Sequence, residues 1–308
     1  MTNYIMFRKN KIQLRSNREL LVNKIDGGTV SLDWYDFGVR FNDETPIIIF
    51  SHSLLGGSNE PYIKYLGKYA YETKGFRSVV FINRGCSGTP ITSDIGGSGS
   101  RIDDFEMALE YIQQKYPKAP LFSVGHCIGS MVGRDGQTPI TAYVCISPPV
   151  NVGMSSDSFT STTFHKYFFY IELHKFMVKH YSKYGDRLKN FGCTIEDVKR
   201  AKSVREIDQL ITTKMFGYKN VEEYYDDASN CTQHMEKLNK PMLIFNSKDD
   251  VMSPYQNLPI HKIKSNDNII LALTRRGGHL GFISRKNNWE NWCHKAALEY
   301  LSTFVKKI

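Results

Sequence analysis

Six short runs of consecutive apolar residues limit what this chain can fold into: 47–50, 79–82, 121–124, 142–146, 242–245 and 269–273. A strand that is apolar at successive positions is buried on both faces, as happens in a parallel sheet covered by helices. Helical patterns lie between the runs. The clearest, from Ile102 to Tyr116, places Ile102, Phe105, Leu109, Ile112 and Tyr116 on one face, with Ser100 and Asp103 spaced as a capping box at its start. A last helix, over about 289–304, repeats the spacing with Trp292, Ala296, Tyr300 and Phe304. Near the start, Val30, Leu32 and Trp34 alternate with polar residues after the turn Asp26-Gly27-Gly28, which reads as a half-exposed strand at one edge. Alternating strands and helices predict an α/β open sheet with right-handed crossovers.

One stretch breaks the rhythm. From about 155 to 230 there is no strand pattern; 164–181, dense in aromatics, then 195–215 and 221–228 are helical in character. Helices inserted between two core strands form a candidate lid or cap. No internal repeat and no linker-like segment divides the chain.

Composition narrows the function classes. With 41% hydrophobic and 23% charged residues in 308, the chain is neither disordered nor collagen-like. Its 40 Lys plus Arg against 31 Asp plus Glu give +9, a charge that attracts nucleic acid, anionic lipid or an acidic partner without specifying any of them. No nucleic-acid recognition motif accompanies it, so nucleic acid is not an expected partner. The cysteines at 86, 127, 145, 193, 231 and 293 form no CxxC or metal-ligand spacing, and neither metal nor cofactor is expected. The first ten residues hold no signal-peptide core, and no run approaches the roughly 18 to 20 apolar residues of a membrane span. A cytoplasmic protein with free thiols is the expectation, with peripheral membrane contact left open and the oligomeric state unspecified.

Ligands in open α/β sheets bind outside the carboxyl ends of the strands, and four polar or Gly-rich clusters fall there. They are Ser51-His52-Ser53-Leu54-Leu55-Gly56-Gly57, Gly125-His126-Cys127-Ile128-Gly129, Ser247-Lys248-Asp249-Asp250 and Arg275-Arg276-Gly277-Gly278-His279-Leu280-Gly281. The second has the form of a nucleophile elbow with Cys where Ser is usual, since a sharp strand-to-helix turn needs glycine two places before and after the nucleophile. Cys127 is then the nucleophile, active as thiolate, and His279 the general base and later acid. The backbone N–H groups of Ile128 and Leu54 are the candidate oxyanion hole. Asp249 and Asp250 compete to orient the histidine. Acid loops of such sheets commonly set the acid four residues before a proline, and Pro254 selects Asp250, leaving Asp249 as a solvated or turn-capping residue. His52 and His126 neighbour the same mouth as substrate-binding candidates and are expected to shape the pocket or bond to backbone rather than transfer protons.

These residues resemble a known family, the α/β-hydrolases of the YheT-like group, also called the AB hydrolase superfamily 4 family, which includes abhydrolase domain-containing proteins 1 and 3. The resemblance runs from Asp26-Gly27-Gly28-Thr29-Val30-Ser31-Leu32-Asp33-Trp34 and Asn83-Arg84-Gly85-Cys86-Ser87-Gly88 through Ala201-Lys202-Ser203-Val204-Arg205-Glu206-Ile207-Asp208 and Phe216-Gly217-Tyr218. It continues in Asp226-Asp227-Ala228-Ser229 and Asn246-Ser247-Lys248-Asp249-Asp250-Val251, and closes with Gly277-Gly278-His279-Leu280-Gly281-Phe282. It implies an α/β-hydrolase fold over 1–308 as one domain: a mostly parallel twisted sheet flanked by helices, with a helical cap, 155–230, inserted after the fold's sixth strand.

The activity implied is a carboxylic ester hydrolase acting on acyl lipids or short- to medium-chain esters, with a triad matching Cys127, Asp250 and His279. Thioester hydrolysis and acyl transfer are close variants. Where the family carries Ser, this chain has Cys127. Only ten residues separate Cys127 from Thr138, so the elbow helix is expected to be cut to about two turns. The alternative is a catalytically impaired relative that keeps the fold and binds acyl lipids or a protein partner. The aromatics Phe164, Tyr167, Phe168, Phe169, Tyr170, Ile171 and Phe176 either pack the cap onto the core or favour a lipid surface.

Overall fold

The computed structural model describes residues 12–131, 138–229, 235–284 and 290–305. Eight strands form one sheet: β1 (Arg15–Val22), β2 (Thr29–Asp36), β3 (Ile47–Ser51), β4 (Arg77–Ile82), β5 (Leu121–His126), β6 (Ile140–Ile146), β7 (Met242–Ser247) and β8 (Ile269–Thr274). Their order is β1-β2-β4-β3-β5-β6-β7-β8. The hairpin β1–β2 and the pair β2–β4 are antiparallel, and every later pairing is parallel. All six apolar runs are strands of this sheet, and residues from 47 to 126 within them are buried without exception.

Successive residues of those strands feed two different cores, which is why the runs do not alternate with polar residues. Ile47, Ile49, Val79 and Phe81 face the helix Asp103–Lys115 through Phe105, Leu109 and Ile112. Ile48, Phe50, Val80 and Ile82 face the helices Pro61–Lys74 and Trp292–Ser302 through Ile63, Leu66, Leu298 and Leu301. Each fully buried Leu, Ile or Phe contributes about 1.5–3 kcal/mol relative to exposure, so both layers are needed to hold the central strands.

The N-terminal reading is corrected. The strand holding Val30, Leu32 and Trp34 is neither half-exposed nor at the edge: β2 is buried from Thr29 to Tyr35, and β1 covers it. The polar residues that mimicked a solvent face are paired inside. Asp33 accepts both Nε and Nη2 of Arg18 on β1 at 2.7 Å, and the Ser58 hydroxyl binds it too. The capping box also fails to form. Ile102 occupies the N-cap with no side-chain cap, Ser100 bonds Ser98 and Tyr218, and Asp103 is taken by a bidentate pair with Arg101. The C-terminal helix starts at Trp292; Trp289 lies outside the described residues.

Between β6 and β7 the described chain is helical, from Val152–Ser158 to Val221–Ala228. Thr163–His165, the π-helical turn Lys166–Tyr170 and Ile171–Tyr181 run on as one helix. The stretch from Ile195 is broken into Ile195–Arg200, Val204–Ile207, a second π-helical turn Asp208–Thr212 and Thr213–Phe216. These helices have a core of their own, built on Tyr170, Met177, Leu188, Val198, Ile207 and Ile211.

The motif residues near β4 are structural. Arg84 is 2% exposed and binds Asp104 through Nε and Nη2 at 2.6 and 2.7 Å and Asp26 through Nη1 at 2.7 Å. A Cβ on Gly28 would lie 1.9 Å from that guanidinium, so glycine is required where the Asp26-Gly27-Gly28 turn lies on the buried ion cluster.

Candidate active site

Cys127 stands at the end of β5 with φ of 54°, the left-handed region that a side-chain-bearing residue seldom adopts. Two glycines make that turn possible. A Cβ on Gly125 would lie 2.4 Å from the carbonyl oxygen of Gly129, and one on Gly129 would lie 2.5 Å from the carbonyl oxygen of His52. Strand, strained residue and following helix thus approach one another more closely than side chains permit, which is the geometry of a nucleophile elbow. The helical turn after it, Cys127–Met131, is a 3-10 turn. Whether a second turn follows lies outside the described residues.

His279 sits in the loop after β8, with its Nδ1 at 3.0 Å from Oδ2 and 3.1 Å from Oδ1 of Asp250. Asp250, in the loop after β7, is 4% exposed and also accepts the backbone N–H groups of Met252 and Ser253 at 2.9 Å. With Nδ1 occupied, the other ring nitrogen is left for an interaction with Cys127. Burial alone would draw His279 down, but its interactions with Cys127 and the Asp250 carboxylate outweigh it, and the imidazole is pushed up to about 10.

Asp249 points the other way. Its Oδ1 accepts the Gly277 and Gly278 amides, each at 2.9 Å, and the Ser247 hydroxyl at 2.7 Å, so this exposed carboxylate caps and clamps the histidine loop. Burial opposes its charge, yet these hydrogen bonds hold the carboxyl below its ordinary value. Ser147, which the sequence did not single out, adds a second tether: its hydroxyl donates to the His279 carbonyl, and Ser253 donates to the Ser147 carbonyl at 3.1 Å. Ser147 has φ of 52°, so the backbone is strained there as well as at Cys127.

Leu54 and Ile128 both border the same cavity as Cys127 and His279. The loop carrying Leu54 is fixed by the Tyr62 hydroxyl, which accepts the Ser53 N–H at 3.0 Å and lies 2.9 Å from the Ser53 hydroxyl. Neither His52 nor His126 lines the cavity, which goes against a substrate-binding role, while bonding to backbone is what His52 does. His52 is 2% exposed; its Nδ1 lies 2.7 Å from the Ser53 carbonyl, and its Nε2 accepts the Asn83 N–H at 3.3 Å, tying two strand-end loops together. His126 points behind the elbow, where its ring lies 4.7 Å from Tyr62 and 5.9 Å from His294. Burial pushes it down to about 3, which keeps it neutral.

The cavity measures about 870 Å³, within the range of about 300–1,000 Å³ usual for small-molecule sites. Its roof is supplied by the inserted helices, chiefly Phe159, Phe169, Leu173, Met177, Tyr181 and Val204. Among the inserted helices one acid borders the cavity. Asp208, on a π-helical turn, accepts the Thr212 and Tyr225 hydroxyls at 2.7 and 2.8 Å, and burial pushes its carboxyl up to about 6. Among the described residues there is no group of three or more His, Cys, Asp or Glu able to hold a metal ion.

Comparison with known proteins places the chain in a family. The family model described as serine aminopeptidase, S33, matches residues 69–267. An abhydrolase domain-containing protein of Dictyostelium discoideum is 39% identical over 99% of this chain and 78% of its own length. Phospholipase ABHD3 of Bos taurus is 32% identical over 86% of this chain, which spans 66% of that relative's length. Among solved structures, the Pyrococcus furiosus esterase Pf2001 superposes with a TM-score of 0.59 at 14% identity, covering 95% of this chain and 91% of its own. That likeness shows the fold, and the first two show the kinship: this chain belongs to the serine aminopeptidase S33 family of α/β-hydrolases, a family of hydrolases and esterases.

Proposed function

We propose that the protein is a carboxylic ester hydrolase that cleaves short- or medium-chain acyl lipid esters through a thioacyl-enzyme, with Cys127 as nucleophile, His279 as acid and base, and Asp250 orienting the histidine. The observation that supports this reading most is the contact chain from Cys127 to His279 to Asp250, standing at an elbow whose two glycines admit no side chain. The apolar roof and the name of the relative phospholipase support an acyl lipid as substrate.

The chemistry follows from these atoms. The Cys127 thiolate attacks the ester carbonyl carbon, a C–S bond forms, and the carbonyl electron pair moves to oxygen. The Leu54 and Ile128 N–H groups donate to that oxyanion. The C–O bond then breaks, and His279 gives its proton to the departing alkoxide, leaving a thioester. Neutral His279 next takes a proton from water, the hydroxide adds to the thioester, and the thiolate leaves with the acid product. An alcohol entering in place of water turns the same cycle into acyl transfer. The helices between β6 and β7 act as a cap that encloses the acyl chain.

The test is turnover of p-nitrophenyl esters of graded chain length by the purified chain beside Cys127→Ala. Turnover, and an acyl adduct on Cys127 seen by mass spectrometry, support the reading. Absence of both turnover and adduct overturns it.

A further inference from the structure

One inserted helix has two contrasting faces. Between Thr163 and Tyr181, Phe169, Leu173 and Met177 turn inward and border the cavity. On the outside, Phe164, Tyr167, Phe168 and Phe176 are 57, 63, 46 and 59% exposed. These four are the only aromatic rings among the twelve exposed large apolar side chains of the described residues, and they fall within one segment. Phe164 and Phe168 stack on each other, with ring centroids 4.3 Å apart, instead of packing into the protein.

The exposed face is also basic. Lys166, Lys175 and Lys179 lie exposed among the rings. Only Lys175 has an ion pair among the described residues, with Glu172 at 2.6 Å, so Lys166 and Lys179 keep their charge for something outside. Phenyl rings spaced between lysines suit the boundary between acyl chains and anionic headgroups, where the rings insert and the ammonium groups meet phosphate. The chain's net charge of +9 attracts such a surface from a distance. Among the described residues no helix is long and apolar enough to cross a membrane, so the contact is one of lying on the surface.

We propose that the face formed by Phe164, Tyr167, Phe168 and Phe176 docks on an anionic lipid bilayer. Because the inner side of the same helix lines the cavity, docking brings the wall of the site next to the layer that holds its substrate. That link to catalysis rests on the ester-hydrolase reading; the docking itself does not.

The experiment is co-sedimentation of the full chain with phosphatidylcholine vesicles, with and without phosphatidylserine, read as a partition coefficient. Wild type binds, and binds more tightly with phosphatidylserine. The triple variant Phe164→Ser, Phe168→Ser, Phe176→Ser lowers partitioning about tenfold or more on both vesicles, yet leaves hydrolysis of a soluble p-nitrophenyl ester unchanged. Lys166→Glu with Lys179→Glu loses only the phosphatidylserine increment, and Ile25→Ser, an equally apolar change at a residue 78% exposed elsewhere, loses nothing. The proposal is overturned if wild type fails to bind, if the triple variant binds like wild type, or if wild type is a dimer that the triple variant dissociates, since a second copy then covers the face. Vesicle binding by a wild type that hydrolyses no ester overturns the enzyme reading and leaves the docking intact.

Discussion

Asp249 and Asp250 are neighbours in the chain that grip the histidine loop from different sides: Asp250 holds the His279 ring at 3.0 Å, and Asp249 holds the Gly277 and Gly278 amides at 2.9 Å. Replacement of each therefore has a distinct cost. Asp250→Asn loses the charge that stabilises the imidazolium, and kcat/KM for a p-nitrophenyl ester falls by about 10²–10⁴. Asp249→Asn keeps an acceptor oxygen for the amides, and its loss is about tenfold or less. Steady-state kinetics of the two variants check the ranking, and equal losses would refute it.

The glycines of the elbow give a structural prediction. A methyl group at residue 125 or 129 meets backbone atoms that no side-chain rotation can move. Gly125→Ala and Gly129→Ala each destabilise the fold by about 1–3 kcal/mol and displace Cys127, abolishing ester turnover. Urea melts measure the first effect, and burst kinetics the second.

Among the thiols, alkylation distinguishes Cys127. Cys86, Cys193 and Cys293 are buried, and burial raises each thiol above its ordinary value, most strongly at Cys293. Cys127 is only partly buried and contacts His279. Iodoacetamide near neutral pH labels Cys127 at least about tenfold faster than the other three, as peptide mass spectrometry would record; uniform slow labelling would mark it as inert.

Histidines shape the pH profile from both sides. His279 has a folded value of about 10, above its unfolded 6.5, so it binds an extra proton in the native state. Its contribution to stability is complete below about 6.5 and is lost as pH rises through about 10. Acylation also slows on that rise, since the leaving group then lacks its proton donor. His126 is pushed down to about 3, and His294 lies well below its ordinary value, both by burial. Unfolded chains bind protons at these two residues first, so stability falls as pH drops from about 6.5 towards 3. Chemical denaturation across pH would show a maximum between the two limbs; a flat profile would contradict it.

The central sheet was legible because strands β3 to β8 carry apolar residues at successive positions, and the elbow because its glycines are sterically compulsory. The edge was not. Arg15–Val22 is mostly polar and exposed, and its role appears only once Arg18 meets Asp33 across the hairpin. The same limit applies to His52 and His126, where nearness in sequence to a strand end did not tell which way a ring turns. Ser147 escaped notice because a hydroxyl that serves a distant carbonyl, 132 residues away, leaves no local pattern. Pro254 was a sound guide to Asp250 as the partner of His279, while the work of Asp249 depended on a loop 28 residues on.

The hydrogen bonds that position His279 and Asp250 come from Ser147, Ser247, Asp249, Met252, Ser253, Gly277 and Gly278, all outside residues 152–228. The helices that roof the cavity contribute none of them among the described residues. The cavity roof and the hydrogen bonds around His279 thus fall to separate stretches of chain. On the ester-hydrolase reading the helices within 152–228 are a replaceable module: exchanging them for those of a relative is expected to change which ester enters while leaving Ser147 and the His279–Asp250 pair in place.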